Sequence, residues 1–228
     1  MEVQTKIVRK ERARMSAWTD LFENRTHSLV MYPHSIDDYS SPSWIGGNAP
    51  AFFDDNAAFA FLREQNYLFY LSVTLPDTNS KETVLGQEMI SVFVPAEYER
   101  YLENNIYPTC DIQVFQHPAS PESALETYTN PGLVKHSLTE WTGVEDGTVT
   151  DEPCLVRIGG TPRFIQQEDS YFTALHQDGY DFFIQIDEEG YADGMVEEYL
   201  FGYGALYLFA KFDDGKWSDP IAGFWQYS

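Results

Sequence analysis

The stretch Trp44-Ile-Gly-Gly-Asn-Ala-Pro-Ala-Phe-Phe53 is nearly repeated as Arg157-Ile-Gly-Gly-Thr-Pro-Arg-Phe-Ile-Gln166. Paired glycines permit positive φ angles, and a proline shortly after them fixes φ and removes a backbone donor. Gly-Gly followed by proline therefore predicts a corner, where one strand stops and the chain changes direction. A phosphate-binding loop is the alternative, but neither copy has the Lys-Ser or Lys-Thr ending of such loops.

The repeat extends beyond the corner at a nearly constant offset. Ile45 and Ile158 are 113 residues apart, and the same shift aligns the apolar segment 67–74 with the segment 180–187. Farther along the chain, an offset of 116 residues aligns segment 86–93 with segment 202–209. Three matched blocks in the same order predict an internal duplication of one sheet-forming unit.

The predicted fold class is α+β, with two related β-rich halves, antiparallel sheets, short helices and an N-terminal helix. Trp18 and Phe22 belong to an apolar stripe at three- and four-residue spacing, which predicts that this helix docks on the body. All parts are expected in one compact domain. They are the N-terminal helix (1–27), the first repeat (28–116), a linker (117–153) and the second repeat (154–228).

The charge of the chain restricts its partners. Its 228 residues carry a formal charge of −22, and because the first 14 residues are net basic by +3, the remainder carries −25. Nucleic acids and anionic membranes are bound through positive charge, so neither is an expected partner. The sequence instead predicts a basic protein partner. With no 18-residue apolar run and no secretory signal, it also predicts a cytoplasmic protein.

The residue spacings predict no metal, cofactor or catalytic site. Cys110 and Cys154 are far apart and have no neighbouring cysteine or histidine at metal-ligand spacing. The histidines never recur at a spacing of two to four residues, so no metal-binding helix is indicated. The protein is therefore predicted not to be an enzyme.

The second half resembles the YwqG-like family, a bacterial domain of unknown function. The resemblance rests on the segments 157–166, 183–187 and 202–209, and the family shows a weaker first copy, as residues 44–53 and 67–75 do here. It implies an α+β fold with two related halves and no established catalytic residues. Because members of the family occur beside polymorphic toxins, it also implies an immunity protein that neutralises a secreted toxin and is monomeric when free.

Acidic doublets and tyrosines near the second repeat's loops predict the surface that binds such a partner. Solvated turns are the simpler reading of each doublet, but a gathered acidic rim would speed encounter with a cationic protein, and aromatic side chains would anchor it. The predicted partner-binding residues are Glu188, Glu189, Tyr191, Glu197, Glu198, Tyr199, Tyr203, Asp213, Asp214 and Trp217.

An alternative function is a small-ligand-binding or enzymatic module that uses the cleft between the two repeats. Gln185 and Asp187 are its candidate ligand-binding residues, because they end an apolar strand beside the Gly202-Tyr-Gly204 loop. The simpler structural reading is that the two side chains satisfy backbone groups at the end of the strand.

Overall fold

The computed structural model describes residues 18–34, 41–76, 85–147, 153–213 and 215–228. The strands are β1 (His27–Met31), β2 (Pro33–His34), β3 (Trp44–Ile45), β4 (Tyr67–Pro76), β5 (Leu85–Pro95), β6 (Gln113–Pro118), β7 (His136–Leu138), β8 (Thr142–Glu145), β9 (Val156–Gly159), β10 (Asp181–Asp187), β11 (Ala205–Asp213) and β12 (Lys216–Gln226). The α-helices are α1 (Ala60–Glu64), α2 (Tyr98–Glu103) and α3 (Thr173–Gln177).

The strands form two six-stranded antiparallel sheets. The first sheet has the order β2-β7-β3-β4-β5-β6, and the second has the order β8-β1-β9-β10-β11-β12. Strand β1 therefore lies in the sheet that is otherwise built from later segments, and β7 lies beside β3 in the other sheet. The chain is thus an α+β protein with two antiparallel sheets and few, short helices, as the sequence predicts.

The two sheets have equivalent strand orders. Adding six to each strand number of the first sheet, and counting on from β12 to β1, gives the order of the second sheet. The residue pairing corresponds as well. Ile45 pairs with Leu71 as Ile158 pairs with Ile184. Both central strands carry an irregularity at the matching place, between Phe69 and Leu71 in β4 and between Phe182 and Ile184 in β10. The two sheets consequently agree in order, in register and in the position of a bulge.

Both Gly-Gly pairs form the predicted corners. Gly46 and Gly47 have φ angles of 65° and 71°, and Gly159 and Gly160 have φ angles of 68° and 65°. These corners also leave little space for a side chain. A methyl group on Gly159 would lie 2.8 Å from the carbonyl oxygen of Leu21, and one on Gly46 would meet another backbone carbonyl at the same distance. Glycine is required at the corners for conformation and for close approach.

Each sheet buries both of its faces. The inner faces share one cluster, in which Val73 and Val92 of the first sheet join Ile184 and Leu206 of the second. A second cluster covers the outer face of the first sheet beside α1, and a third covers the outer face of the second sheet beside α3. Because the central strands are apolar on both sides, they read as nearly continuous hydrophobic runs rather than alternating ones.

The predicted N-terminal helix falls mainly outside the described residues, which begin at Trp18. A π-helical turn, Thr19–Glu23, follows Trp18 and buries Leu21 and Phe22. The rings of Trp18 and Trp217 stack with centroids 5.4 Å apart, so this part of the segment packs against the second sheet.

Candidate interaction surface

The loop between β10 and β11 is fixed by the buried carboxylate of Glu188. Its Oε1 accepts the backbone N–H of Phe201 at 2.9 Å, and its Oε2 accepts that of Gly204 at 3.0 Å. Burial raises the pKa of Glu188, while the hydrogen bonds from the backbone oppose that shift. Glu188 is 1% exposed, so the prediction that it contacts a partner is wrong. Its side chain holds the loop instead.

This loop presents two exposed tyrosines. Tyr199 is 44% exposed and Tyr203 is 46% exposed, and their rings meet edge to face with centroids 5.0 Å apart. The ring of Tyr191 stacks on Tyr199 from the less exposed side at 5.9 Å. Tyr203 has a φ of 60°, a left-handed conformation that costs a residue with a side chain roughly 1–2 kcal/mol. The fold therefore holds an exposed aromatic ring in a strained backbone position.

Three further exposed side chains extend this surface, and the sequence analysis missed them. A methyl group on Gly202 would lie 3.4 Å from Cβ of Tyr227, which is 51% exposed. The ring of Trp225 lies between those of Tyr227 and Tyr98, with centroid distances of 6.2 Å and 6.3 Å. Leu102 is one helical turn from Tyr98 on α2 and is also exposed. We call the set formed by Tyr98, Leu102, Tyr199, Tyr203 and Tyr227 the tyrosine face.

The only local signal for these residues was the spacing of Tyr98 and Leu102, which puts both on one side of a helix. Nothing in the sequence indicated that this helix side would adjoin the final residues of β12. The sheets bring them together: Trp225 Nε1 donates to the carbonyl of Tyr101 at 2.9 Å, and Tyr101 donates to the carbonyl of Leu200 at 3.0 Å.

Carboxylates border the tyrosine face on both sides. Glu189, Glu197 and Glu198 are exposed in the loop between β10 and β11, and three more exposed glutamates belong to α2 or precede it. None of the ion pairs found in the described ranges involves any of these six side chains. The three on or before α2 are Glu97, Glu99 and Glu103. The surface thus combines clustered negative charge with exposed aromatic rings.

Asp213 and Trp217 do not belong to this surface. Tyr203 precedes the start of β11, whereas Asp213 is the last residue of that nine-residue strand, which places the two about 30 Å apart. The ring of Trp217 packs against Trp18 and Phe183. The prediction that these residues join one interface with the tyrosines is therefore wrong, because it ignored the length of the strand. Asp214 lies outside the described residues.

Gln185 and Asp187 are hydrogen-bonded to each other, and both also hold backbone groups. Gln185 Oε1 accepts the N–H of Arg163 at 2.9 Å, while its Nε2 donates to the Arg163 carbonyl at 3.1 Å and to Asp187 Oδ2 at 3.0 Å. Asp187 Oδ1 accepts the N–H of Glu189 at 3.0 Å. Burial raises the pKa of Asp187. Both residues also line a cavity of about 200 Å³.

A second cavity, of about 510 Å³, lies at the corresponding corner of the first sheet. Trp44, which corresponds to Arg157 in the sheet register, forms part of its wall, together with Met89 and the ion pair between Glu122 and Lys135. The two sheets therefore carry a cavity at equivalent places, with different side chains. Each lies beside its own Gly-Gly corner and not between the two repeats.

A buried serine-histidine contact lies on the outer face of the first sheet. Ser91 Oγ lies 2.7 Å from His117 Nε2 and 2.5 Å from Ser72 Oγ, while His117 Nδ1 lies 2.8 Å from the carbonyl of Pro118. Burial lowers the pKa of His117, which favours the neutral ring. Ser72 and Ser91 are fully buried, and Phe52 stacks on His117 at 4.6 Å. A substrate cannot reach these hydroxyls in this arrangement, so the contact is structural.

Throughout the described ranges, no group of three or more His, Cys, Asp or Glu side chains could hold a metal ion. No helix in this part of the chain is both long enough and apolar enough to cross a membrane. Cys110 and Cys154 are unpaired thiols, the first half-buried and the second buried.

The fold and this surface define an α+β protein with two antiparallel sheets and an acidic tyrosine face. The sequence matches no protein-family model. It also matches no curated protein.

Proposed function

We propose that this protein binds and neutralises a basic protein, most simply a secreted bacterial toxin domain, and so acts as an immunity protein. The observation that carries the proposal is the tyrosine face: exposed rings, one of them in a strained conformation, bordered by exposed carboxylates. The resemblance to the YwqG-like family supports the toxin as the partner. In this proposal the protein is cytoplasmic, monomeric when free, without a cofactor and not an enzyme.

The physical chemistry of the face favours a cationic protein. Tyrosine is among the residues that contribute most to binding energy at protein interfaces, since it has a large ring, few rotatable bonds and a polar end. A focused negative potential accelerates association with a cationic partner by about 10 to 1,000 fold. Backbone strain at an exposed residue such as Tyr203 is a feature that clusters at functional sites.

We also propose that the two halves arose by duplication of one unit. The matching strand order, the matching pairs of Ile45 with Leu71 and Ile158 with Ile184, and the two bulges support this origin. The connection after β10 is also longer than its counterpart after β4, since it spans residues 188–204 and the other spans residues 77–84. The part of the tyrosine face that carries Tyr199 and Tyr203 would then be an addition to the second copy.

The proposal is tested by co-expressing the chain with the product of its neighbouring gene. We expect rescue of growth, and a complex that survives purification. The double variant Tyr203→Ala, Tyr227→Ala should lose the complex. Leu125→Ala and Val134→Ala form the matched control, because both side chains are exposed to a similar extent but lie outside the tyrosine face. If the double variant and the control bind equally well, the tyrosine face is not the interface.

A second candidate function, the binding of a small ligand, has its own supporting observation. The cavity beside Gln185 and Asp187 contains a buried cation, Arg157, for which no ion pair is found within the described ranges.

A further inference from the structure

Arg157 is a buried cation without a carboxylate partner. Its side chain projects from β9 and is 2% exposed. Nη1 donates to Ser28 Oγ at 2.8 Å, and Nη2 donates to Cys154 Sγ at 3.7 Å. Across the described ranges, the carboxylates that form ion pairs belong to other cations. A hydroxyl and a thiol are weak acceptors for a guanidinium, which carries its charge at all relevant pH values.

Such an arrangement is costly unless something else supplies the counter-charge. Transfer of a charged side chain from water into a protein interior is unfavourable, and buried charges in folded proteins are normally paired. The corresponding residue in the first sheet is Trp44, an apolar side chain. The sheet position itself therefore does not require a cation.

The guanidinium of Arg157 lines a cavity that carries both signs of charge. Arg163 also lines the cavity as a second cation that acts on Asp187, while Asp187 and Glu189 supply two carboxylates. A simple anion would meet Arg157 but would also be repelled by these carboxylates, and a simple cation would be repelled by the arginines. The charge pattern favours a ligand that carries a negative and a positive group close together.

The size of the cavity limits the ligand further. Its volume of about 200 Å³ corresponds to about seven water molecules at about 30 Å³ each. A ligand that fills it has a similar number of non-hydrogen atoms. The smallest α-amino acids meet this limit, and they carry a carboxylate and an ammonium group on one carbon.

We propose that this cavity binds a small α-amino acid, whose carboxylate pairs with Arg157 and whose ammonium group faces Asp187 and Glu189. Ile165 and Pro153 supply the apolar part of the wall, against which a short side chain would pack. The inference rests on the second candidate function, whose ligand it specifies, and not on the function proposed for the tyrosine face, although Glu189 both borders that face and lines this cavity.

The test uses the full chain and measures its thermal unfolding with glycine, alanine or serine, at constant ionic strength. At a concentration about tenfold above the Kd, an amino acid should raise the melting temperature by about 3–5 °C. Acetate and methylamine, which carry one charged group each, should have a much smaller effect. If none of the amino acids raises the melting temperature, or if acetate matches them, the proposal is overturned.

Variants locate the site. Glu189→Gln changes an exposed carboxylate and should leave folding intact while weakening amino-acid binding, and Asp187→Asn should weaken it by about tenfold or more. Glu122→Gln is the matched control, because this carboxylate lines the corresponding cavity of the first sheet. A loss of binding in Glu122→Gln, or unchanged binding in both Glu189→Gln and Asp187→Asn, would contradict the assignment.

Discussion

The hydroxyl of Tyr70 on β4 of the first sheet lies 2.8 Å from the hydroxyl of Tyr191, which follows β10 of the second sheet. Tyr191 also donates to Glu188 Oε1 at 3.3 Å. Burial raises the pKa of both tyrosines well above the ordinary value, so both hydroxyls stay protonated and remain donors. This chain of hydrogen bonds connects the first sheet to the loop that carries Tyr199 and Tyr203.

Removing the carboxylate at the end of this chain should destabilise the protein. Glu188→Ala leaves the N–H groups of Phe201 and Gly204 without their acceptor, and each buried unsatisfied group costs about 1–3 kcal/mol. We expect the free energy of unfolding in urea to fall by about 2–5 kcal/mol. Glu189→Ala is the control and should change it by less than about 0.5 kcal/mol, since that side chain is exposed. Equal effects would contradict the role assigned to Glu188.

The stability of the protein should decrease as the pH is lowered, in a window set by the pKa of His117. Burial lowers the pKa of this residue below its ordinary value of 6.5, so the unfolded chain binds a proton at a higher pH than the folded chain does. The contribution of neutral His117 to the free energy of unfolding is present above about pH 6.5. It is lost as the pH falls toward the lower pKa of the folded state, and the free energy of unfolding changes by up to about 1.4 kcal/mol per pH unit.

The variant His117→Gln tests this, because glutamine does not titrate and already occupies the matching position, Gln226, in the second sheet. Urea unfolding at several pH values below 6.5 should give a shallower pH dependence for the variant than for the natural protein. Parallel curves would show that His117 does not cause the dependence.

The corner at Gly159 should tolerate no side chain. Gly159→Ala adds a methyl group at a φ of 68° and 2.8 Å from the carbonyl oxygen of Leu21. Gly147 has a φ of 79° but nothing within 4 Å of such a methyl group, so Gly147→Ala isolates the conformational cost of about 1–2 kcal/mol. We expect Gly159→Ala to lower the free energy of unfolding by about 1–3 kcal/mol more than Gly147→Ala does, which is the range for overpacking. Thermal unfolding of both variants measures the difference, and equal losses would show that close approach is unimportant.

Two variants of Tyr203 should distinguish the effect of the strained backbone on stability from the effect of the ring on binding. Tyr203→Gly and Tyr203→Ala remove the same ring, but only alanine retains the cost of a left-handed conformation. The glycine variant should therefore be more stable than the alanine variant by about 1 kcal/mol in urea unfolding. Both variants should lose the partner to the same degree. A glycine variant that binds better than the alanine variant would mean that backbone geometry, and not the ring, makes the contact.

Charge reversal beside the tyrosine face should slow association with the basic partner. The double variant Glu197→Lys, Glu198→Lys is expected to lower the association rate constant by about tenfold at low salt, with little change in dissociation. Glu145→Lys with Asp213→Lys gives the same change in net charge at exposed positions outside the face. Stopped-flow measurements should find a smaller effect for that control. Equal effects would attribute steering to net charge and not to the tyrosine face.

The sequence by itself determined the local features of this protein. The Gly-Gly corners, the apolar central strands, the two-part pattern and the excess of negative charge could all be read from residues close together in the chain. Turn geometry and strand periodicity depend on neighbouring residues, which is why the predictions of the Gly-Gly corners and of the apolar central strands were confirmed. Even the pairing of Gln185 with Asp187 follows from their spacing on one strand face.

Only the tertiary structure decided which side chains are accessible and which lie together. It buried Glu188 against the amides of its own loop, separated Asp213 from Tyr203 by the length of a strand, and joined Tyr98 to Tyr227 through Trp225. The last of these outcomes depends on the packing of segments more than 100 residues apart in sequence. Exposure results from what covers a residue, and the covering segment is not encoded in that residue's neighbours.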